Sequence, residues 1–234
     1  MMPPEHAEVV PDFTAFGVTA FTTTRAFGTL GNSAASAEAA SRWDSLRAGA
    51  RELGVVRLAT AAQVHGARVI AHEPGWDGWQ RAGDADGHFD THRDTALAIT
   101  IADCVPVFLA HPDGSIALLH SGWRGTVARI VEQGIAQFTA RGLVAADLRM
   151  HLGPAICGTC YEVSADVAEQ LLRQPQSGAR TVDLRALIAD HARALGVRSI
   201  TISPLCTKCH NDRFFSHRAG DVGRQVAVMI PAAV

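Results

Sequence analysis

The chain has 234 residues, of which 47% are hydrophobic and 19% are charged, and its formal net charge is −2 at pH 7. This hydrophobic fraction excludes a disordered chain, and the near-zero charge argues against a protein that holds nucleic acid on a basic face. No uncharged apolar run is long enough to span a bilayer, so no membrane partner is expected.

The N-terminal stretch "MMPPEHAEVVPDF" lacks the basic start and apolar run of a secretory signal. Five cysteines are an odd number for a disulfide scaffold, and we expect them to be reduced thiols. These features predict a cytoplasmic protein that folds as a single domain over residues 1–234.

Predicted strands and helices interleave along the chain. The first half predicts a strand at 12–25, a helix closed by Gly54, and a strand pair that turns near His65 and Gly66. The segment "DGHFDTHRD" (86–94) is expected to be a solvated loop or substrate lid. The second half predicts helices at 126–142, 164–174 and 183–197, and strands at 147–156, 199–205 and 224–231. The fold class is therefore α/β (α+β), a layered sandwich with a mixed β-sheet flanked by helices.

The apolar runs "VPVFLA" and "SIALLH" flank a segment, 111–114, that is typical of a three-residue hairpin loop. If residues 111 and 115 pair, Pro106 faces His120 and Cys104 faces Gly122. Cys104 and His120 then share one face as diagonal neighbours, about 7–8 Å apart. A loop one residue different would place them on opposite faces.

Three potential metal ligands lie where predicted strands end: His65, Cys104 and His120. Two imidazoles and a thiolate suit zinc, and three protein ligands leave a fourth position for water or substrate. Asp103, beside the thiolate, is a candidate to orient a ligand or to shuttle a proton. The alternative is that Cys104 is an inert packing residue at a strand end.

The segment "HSGWRGT" (120–126) predicts an anion site. Free N–H groups at a helix beginning near Thr126 favour a phosphate or carboxylate, and Arg124 offers a bidentate partner. In the alternative interpretation, Arg124 caps the helix at the surface and Trp123 packs beneath it.

Two C-x-x-C pairs, Cys157/Cys160 and Cys206/Cys209, form a competing candidate for a structural zinc site. The 45 residues between the pairs exceed the gap of about 15–20 that is usual in a zinc ribbon, and they contain two helical patterns. A compact ribbon is therefore not expected. His210 or His217 is a possible extra ligand, but a polar loop is the default interpretation there.

Five motifs together resemble the YfiH family, whose members include polyphenol-oxidase laccases and purine nucleoside phosphorylases. They are "QVHGARV", "DGHFDTHRDTALAITIADCVPV", "HSGWRGTV", "LGPAICGTCYEV" and "CTKCHNDRFFSHR", and they run from about Gln63 towards the C-terminus. The resemblance implies a mixed α/β sandwich with one metal site, whose zinc ligands fall on His65, Cys104 and His120. It makes the four-cysteine site less favoured.

The activity that the resemblance implies is phosphorolysis of adenosine, inosine, guanosine or methylthioadenosine, with adenosine deamination as a second reaction. Arg25 is then a possible phosphate ligand. The segment "FTTTRAFGTLGNSAASAEAA" (21–40) departs from the family because it lacks a double glycine, a histidine and an acid pair. Whether Asn32 replaces the family's asparagine is open. If that segment supplies substrate contacts in the family, this member is expected to have a narrower substrate specificity, a lower turnover rate or a dependence on a partner.

Three other functions stay open. A copper-dependent polyphenol oxidase is possible because Cu²⁺ binds His/Cys sites tightly, but laccase chemistry needs several coppers and many histidines, and only one compact trio is evident. A metal-free cysteine hydrolase acting on cell-wall peptides would use Cys104 with His120 as base. A zinc-stabilised binding protein without catalysis is the third.

Overall fold

The computed structural model describes residues 6–30 and 37–232, and Asn32 lies outside them. The α-helices of the described residues are α1 (Ala37–Glu52), α2 (Trp123–Val127), α3 (Ile130–Thr139), α4 (Ala165–Leu172) and α5 (Leu184–Ala194). In chain order, the strands are β1 (Ala7–Val9), β2 (Val18–Thr23), β3 (Arg57–Ala62), β4 (Val69–Ala71), β5 (Gly78–Asp84), β6 (Gly87–Asp90), β7 (Thr95–Ile101), β8 (Val105–Ala110), β9 (Ile116–Ser121), β10 (Arg149–Leu152), β11 (Glu162–Val163), β12 (Arg180–Thr181), β13 (Ser199–Ile202) and β14 (Gln225–Pro231).

Twelve of these strands form two mixed six-stranded sheets. The first sheet has the order β1-β2-β14-β7-β3-β5, and the second has the order β13-β10-β8-β9-β6-β4. Strands β11 and β12 form a small separate pair. Both large sheets combine parallel and antiparallel pairs, so the predicted mixed α/β class is confirmed.

The two sheets pack face to face because their strands alternate apolar side chains between the two sides. On β7, Leu97 and Ile99 pack against Phe108 and Leu118 of the second sheet. Ala96 and Ala98 of β7 point the other way, towards α1. The outer face of the second sheet packs against α3, α4 and α5. The result is a sandwich of two sheets with helices outside, as the sequence predicted.

The predicted hairpin has the expected register. Val105 pairs with Ser121, and Pro106 pairs with His120. Asp113 accepts a hydrogen bond from the Ser115 N–H (2.9 Å), which fixes the short loop. Cys104 and His120 are therefore brought to the same end of the same strand pair.

Several local predictions are wrong. The strand predicted at 12–25 covers only β2, because Phe13–Phe16 form a 3-10 turn. Strands β3 and β4 do not pair: β3 lies in the first sheet and β4 in the second, so residues 63–68 cross between the layers. The single helix predicted at 126–142 is instead α2 and α3, which are separated at Arg129, where φ is +63°. The apolar stripe of α3 still faces the core, which explains why the periodicity looked continuous.

The segment 86–94 is not a solvated loop. Its residues 87–90 form β6, which pairs with β9 on one side and β4 on the other. Phe89 packs on Phe138, whereas His88 is buried on the opposite face and shares a 2.9 Å hydrogen bond with His72. The polar side chains of this segment suggested a loop. They are buried in a strand because their hydrogen-bond partners come from distant segments of the chain.

The buried His72–His88 pair predicts a pH-dependent stability. Burial and the charge of Arg57 lower the pKa of His72 to about 4, and burial and the charge of His72 lower the pKa of His88 to about 3. Histidine in an unfolded chain has a pKa of about 6.5, so the unfolded chain takes up more protons than the folded one between these values. The contribution of the neutral pair is full above about pH 6.5 and is lost as the pH falls towards about 4.

We expect the free energy of unfolding in urea to fall between about pH 7.5 and about pH 5. The fall should be smaller by about 4 kcal/mol in the double variant His72→Gln/His88→Gln, at about 2 kcal/mol for each histidine. The control, His6→Gln, removes an exposed histidine and keeps the wild-type slope. Equal slopes in the double variant and the wild type would show that this pair does not set the pH dependence.

Candidate metal centre

Cys104 lies where β7 passes into β8. The chain turns at Asp103, whose φ is +81°, and Cys104 then directly precedes β8. Across the hairpin lies Gly122, and a Cβ there would come within 2.9 Å of the Cys104 Sγ. Only glycine allows the two strands to approach so closely at this point.

The three predicted ligands meet. One ligand atom each from His65, Cys104 and His120 lie within 4.8 Å of one another. The two imidazole rings are edge-to-face, with centroids 4.9 Å apart. His120 is buried, Cys104 is half-buried and His65 is exposed, so the cluster is open to solvent on one side. Two imidazoles and a thiol are a donor set that suits zinc, and this arrangement leaves room for a further ligand.

Asp86 supports this cluster, and the sequence did not single it out. Its fully buried carboxylate accepts hydrogen bonds from the backbone N–H groups of Val64 (3.2 Å), His65 (3.0 Å) and Gly66 (2.7 Å). It also bonds the His120 Nδ1 at 2.8 Å. Because Asp86 bonds the Nδ1 of His120, the Nε2 of that ring is left for a metal, as in the carboxylate–histidine pairs of many zinc sites. One carboxylate therefore orients both the loop of one ligand and the ring of another.

The charges in the cluster favour metal binding. Burial by itself raises the pKa of the Cys104 thiol, but the charge of His120 and hydrogen bonds with His120 and His65 outweigh it and lower that pKa to about 6. Burial lowers the pKa of His120, but the charge of Cys104 and the hydrogen bond to Asp86 raise it to about 9. Both shifts favour a thiolate beside an imidazolium. The thiolate is the form of cysteine that binds metals.

Asp103 lines the cleft beside Cys104, as expected from its place in the chain, and its carboxylate is occupied by two partners. Its carboxylate accepts hydrogen bonds from the Thr207 hydroxyl (2.6 Å) and from the Arg218 backbone N–H (2.7 Å). It thus ties two C-terminal segments to the turn that carries Cys104. A role in catalysis stays a prediction, whereas these contacts give it a positioning role.

A cleft of about 290 Å³ opens beside the cluster. Its walls combine metal-site residues, cations and flat or apolar side chains. They are His65, Ala102, Asp103, Cys104, Gly122, Trp123, Arg124, Ile156, Tyr161, Leu184, His217 and Arg218. The volume is near the lower end of small-molecule sites, which begin at about 300 Å³.

The cations lie on two sides of the cleft. Arg124 is exposed and stacks its guanidinium over Trp123, 4.3 Å from the ring centroid. Arg218 lies over the ring of Tyr161 at 5.0 Å. Burial and the charge of Cys104 raise the pKa of Tyr161 to about 12, so its phenol keeps its proton at neutral pH. The sequence did not predict that Tyr161 lines this cleft, and it considered His217 only as an extra ligand of the four-cysteine site.

Arg25 lies elsewhere. Its guanidinium pairs with Asp221 (2.7 Å) and donates to the carbonyl groups of Asn211 (2.9 Å) and Phe214 (3.1 Å). It also stacks over Phe215 at 4.4 Å, and it is not among the residues that line the cleft. It braces the segment that carries His217 and Arg218. Phosphate binding by Arg25 stays a prediction.

The fold and the cluster define the class: a mixed α/β sandwich with a candidate His/Cys metal centre in a cleft. The model of the multicopper polyphenol oxidoreductase laccase family matches residues 26–232. Purine nucleoside phosphorylase SCO2081 from Streptomyces coelicolor is 35% identical over 185 residues, which is 75% of this chain and 76% of that protein. The chain belongs to this laccase family, and the expected resemblance to YfiH is confirmed.

Two further similarities bear on the fold and the enzyme names in the family. The crystal structure of the Bacillus licheniformis hypothetical protein YfiH superimposes with a TM-score of 0.84 at 23% identity, covering 99% of this chain and 98% of that one. Adenosine deaminase RL5, from an unknown prokaryotic organism, is 33% identical over 136 residues, or 52% of each chain. The expectation that this chain is an enzyme agrees with these names.

Within residues 6–30 and 37–232, no helix has the length and apolar character needed to cross a membrane.

Proposed function

We propose that this protein is a zinc-dependent purine nucleoside phosphorylase with adenosine deaminase activity. The observation that carries this proposal is the cleft itself, in which a His/Cys metal cluster adjoins Arg124, His217 and Arg218. The names of the relatives support the reaction class. We further propose a cytoplasmic setting, because a ligand such as Cys104 has to stay reduced.

The side chains that line the cleft offer one kind of surface for the purine nucleoside and another for phosphate. Trp123 and Tyr161 offer aromatic surface for the purine, whose flat faces stack on such rings. Arg124 and Arg218 offer guanidinium groups for phosphate, whose oxygens they bind in a bidentate manner. In the reaction, the bond between C1′ and the purine nitrogen breaks, a bond from C1′ to a phosphate oxygen forms, and the purine leaves with the bonding electrons. Two reactants held together in one cleft gain from proximity and orientation.

His65, Cys104 and His120 would hold the zinc ion, with Asp86 fixing the His120 ring. When bound, zinc supplies a Lewis acid that polarises an oxygen ligand in the open position. Tyr161, whose phenol keeps its proton, and His217 line the same cleft and would donate hydrogen bonds to the purine as it leaves. For deamination, water replaces the adenine amino group and ammonia leaves, and the same walls orient the base.

The test of this proposal compares adenosine and inosine with and without phosphate, followed by chromatography of the products. We expect adenine or hypoxanthine to appear with ribose 1-phosphate only when phosphate is present, and ammonia to appear from adenosine without phosphate. Free ribose in place of ribose 1-phosphate would indicate a hydrolase. No release of base under any of these conditions would refute the proposal.

The name of the family favours a copper-dependent polyphenol oxidase as a second candidate. Cu²⁺ binds the same ligand types more tightly than Zn²⁺, so the ligands alone do not decide between them. Metal analysis of protein purified without added metal separates the two. Copper in stoichiometric amount, with oxygen uptake on a phenol, would favour this candidate over ours.

A metal-free cysteine hydrolase is a third candidate. Cys104, as nucleophile, bonds His120, as base, and His120 in turn bonds the Asp86 carboxylate. His65 argues against it, since a hydrolase of this kind has no need of a second imidazole within 4.8 Å. Activity on cell-wall peptides that survives metal removal by a chelator would favour the hydrolase.

A further inference from the structure

A second group of metal ligands lies outside the candidate metal centre. The sulfur atoms of Cys157, Cys160, Cys206 and Cys209 all lie within 4.8 Å of one another. The sequence made such a site less favoured because of the long gap between the two pairs. The structure removes that objection by bringing the four thiols together.

The topology explains how this happens. Cys157 follows β10 by five residues, and Cys206 follows β13 by four residues. Strands β10 and β13 are parallel neighbours, so their carboxyl ends meet at the same edge of the sheet. A parallel bridge between Ala155 and Cys206 continues that pairing up to the first turn. The residues between the two pairs form the crossover that parallel strands require, which contains α4 and α5.

The local geometry is that of two turns closing on one centre. The Cys206 Sγ accepts hydrogen bonds from the backbone N–H of Cys157 (3.3 Å) and of Cys209 (3.4 Å). Backbone donors of this kind stabilise a negatively charged sulfur. The Sγ atoms of Cys160 and Cys209 are 3.5 Å apart. Four sulfurs around a tetrahedral zinc ion, at a Zn–S distance of about 2.3 Å, would be about 3.8 Å apart, which small movements of these turns achieve.

We propose that these four cysteines form a structural zinc site that joins the two C-x-x-C turns. Binding forms four Zn–S bonds and releases four protons to solvent, with no change of oxidation state. All four positions around the metal are then occupied by protein, which is typical of structural rather than catalytic zinc.

This site braces the cleft. Thr207, inside the second turn, donates its hydroxyl to Asp103 at 2.6 Å, and Asp103 also accepts the Arg218 N–H. Tyr161, which lines the cleft, directly follows Cys160. The proposed zinc therefore holds both turns from which one wall of the cleft is built.

The test is the zinc content of the full chain, measured by mass spectrometry of the metal. We expect the double variant Cys157→Ser/Cys209→Ser to lose one zinc ion per chain relative to the wild type, and its Tm to fall by about 10 °C. Lys208→Ala, an exposed change between two of the cysteines, keeps the wild-type zinc content. Cys104→Ala keeps the zinc of the four-cysteine site, so the failure of this proposal is distinguishable from the failure of the proposed function.

A second measurement uses the wild type alone and does not depend on the folding of a variant. After denaturation with chelator but without reductant, all five cysteines are expected to react with an alkylating agent. Two fewer would show a Cys160–Cys209 disulfide and overturn the proposal. Iron in place of zinc, or zinc content unchanged in the double variant, would overturn it as well.

Discussion

Replacement of Cys104 by alanine is expected to lower kcat/KM for phosphorolysis by about a thousandfold or more and to remove the metal from the candidate centre. The sulfur is the soft ligand of the trio and the partner that keeps His120 charged when no metal is bound. Without it, two imidazoles remain, and Asp86 orients only one of these rings directly. Steady-state kinetics with inosine and phosphate, together with zinc analysis, measure both effects.

The matched control for this variant is His111→Gln. It removes a buried histidine from the opposite end of the same hairpin, and it is expected to keep activity within about twofold because His111 does not line the cleft. Turnover in Cys104→Ala that equals the wild type would reject the site assignment as a whole. An inactive variant that holds as much zinc per chain as the wild type would place the role of the thiol in the reaction rather than in metal binding.

Replacement of Asp86 by alanine is expected to have the largest effect on stability, a loss of about 3–5 kcal/mol. Four donors, three backbone N–H groups and the His120 ring, lose a fully buried acceptor at once. Metal affinity is expected to fall by about 10–100-fold, because the orientation of His120 and of the His65 loop is lost together. Urea unfolding and competition with a zinc-binding dye measure the two quantities.

Asp113→Ala is a suitable comparison for this variant. Asp113 also accepts a backbone N–H, but it is partly exposed in the hairpin loop, so its loss is expected to cost less than about 1 kcal/mol. Asp86→Asn keeps one acceptor oxygen and should lie between the wild type and Asp86→Ala. A cost for Asp86→Ala as small as that of the comparison would mean that water or a neighbouring group replaces the carboxylate.

The hairpin register shows how far the sequence leads. The short loop at 111–114 fixes which residues are paired, and that pairing places Cys104 beside His120. Ligand type then adds His65, although the sequence wrongly predicted that this residue turns between two paired strands. The chemical identity of the ligands proved a better guide here than the local prediction of structure.

Asp86 shows where this reasoning stops. In the sequence, Asp86 lies in a run of histidines and aspartates that is typical of a solvent-exposed loop. Its burial depends on hydrogen-bond donors about twenty and thirty-four residues away, which the local sequence does not reveal. The four cysteines were undervalued for a related reason. The number of residues between the two cysteine pairs does not predict their distance in space, because the parallel strands β10 and β13 end at the same edge of the sheet.

The position of β14 has a consequence for how the protein is made. This strand, at residues 225–231, lies between β2 and β7 in the middle of the first sheet. During translation, β2 and β7 are synthesised long before β14, which lies between them. The edges of β2 and β7 that pair with β14 therefore stay unpaired until residues 225–231 have been made. The first sheet therefore becomes continuous from β2 to β7 only after residues 225–231 have been synthesised, so its assembly depends on contacts between segments far apart in the chain.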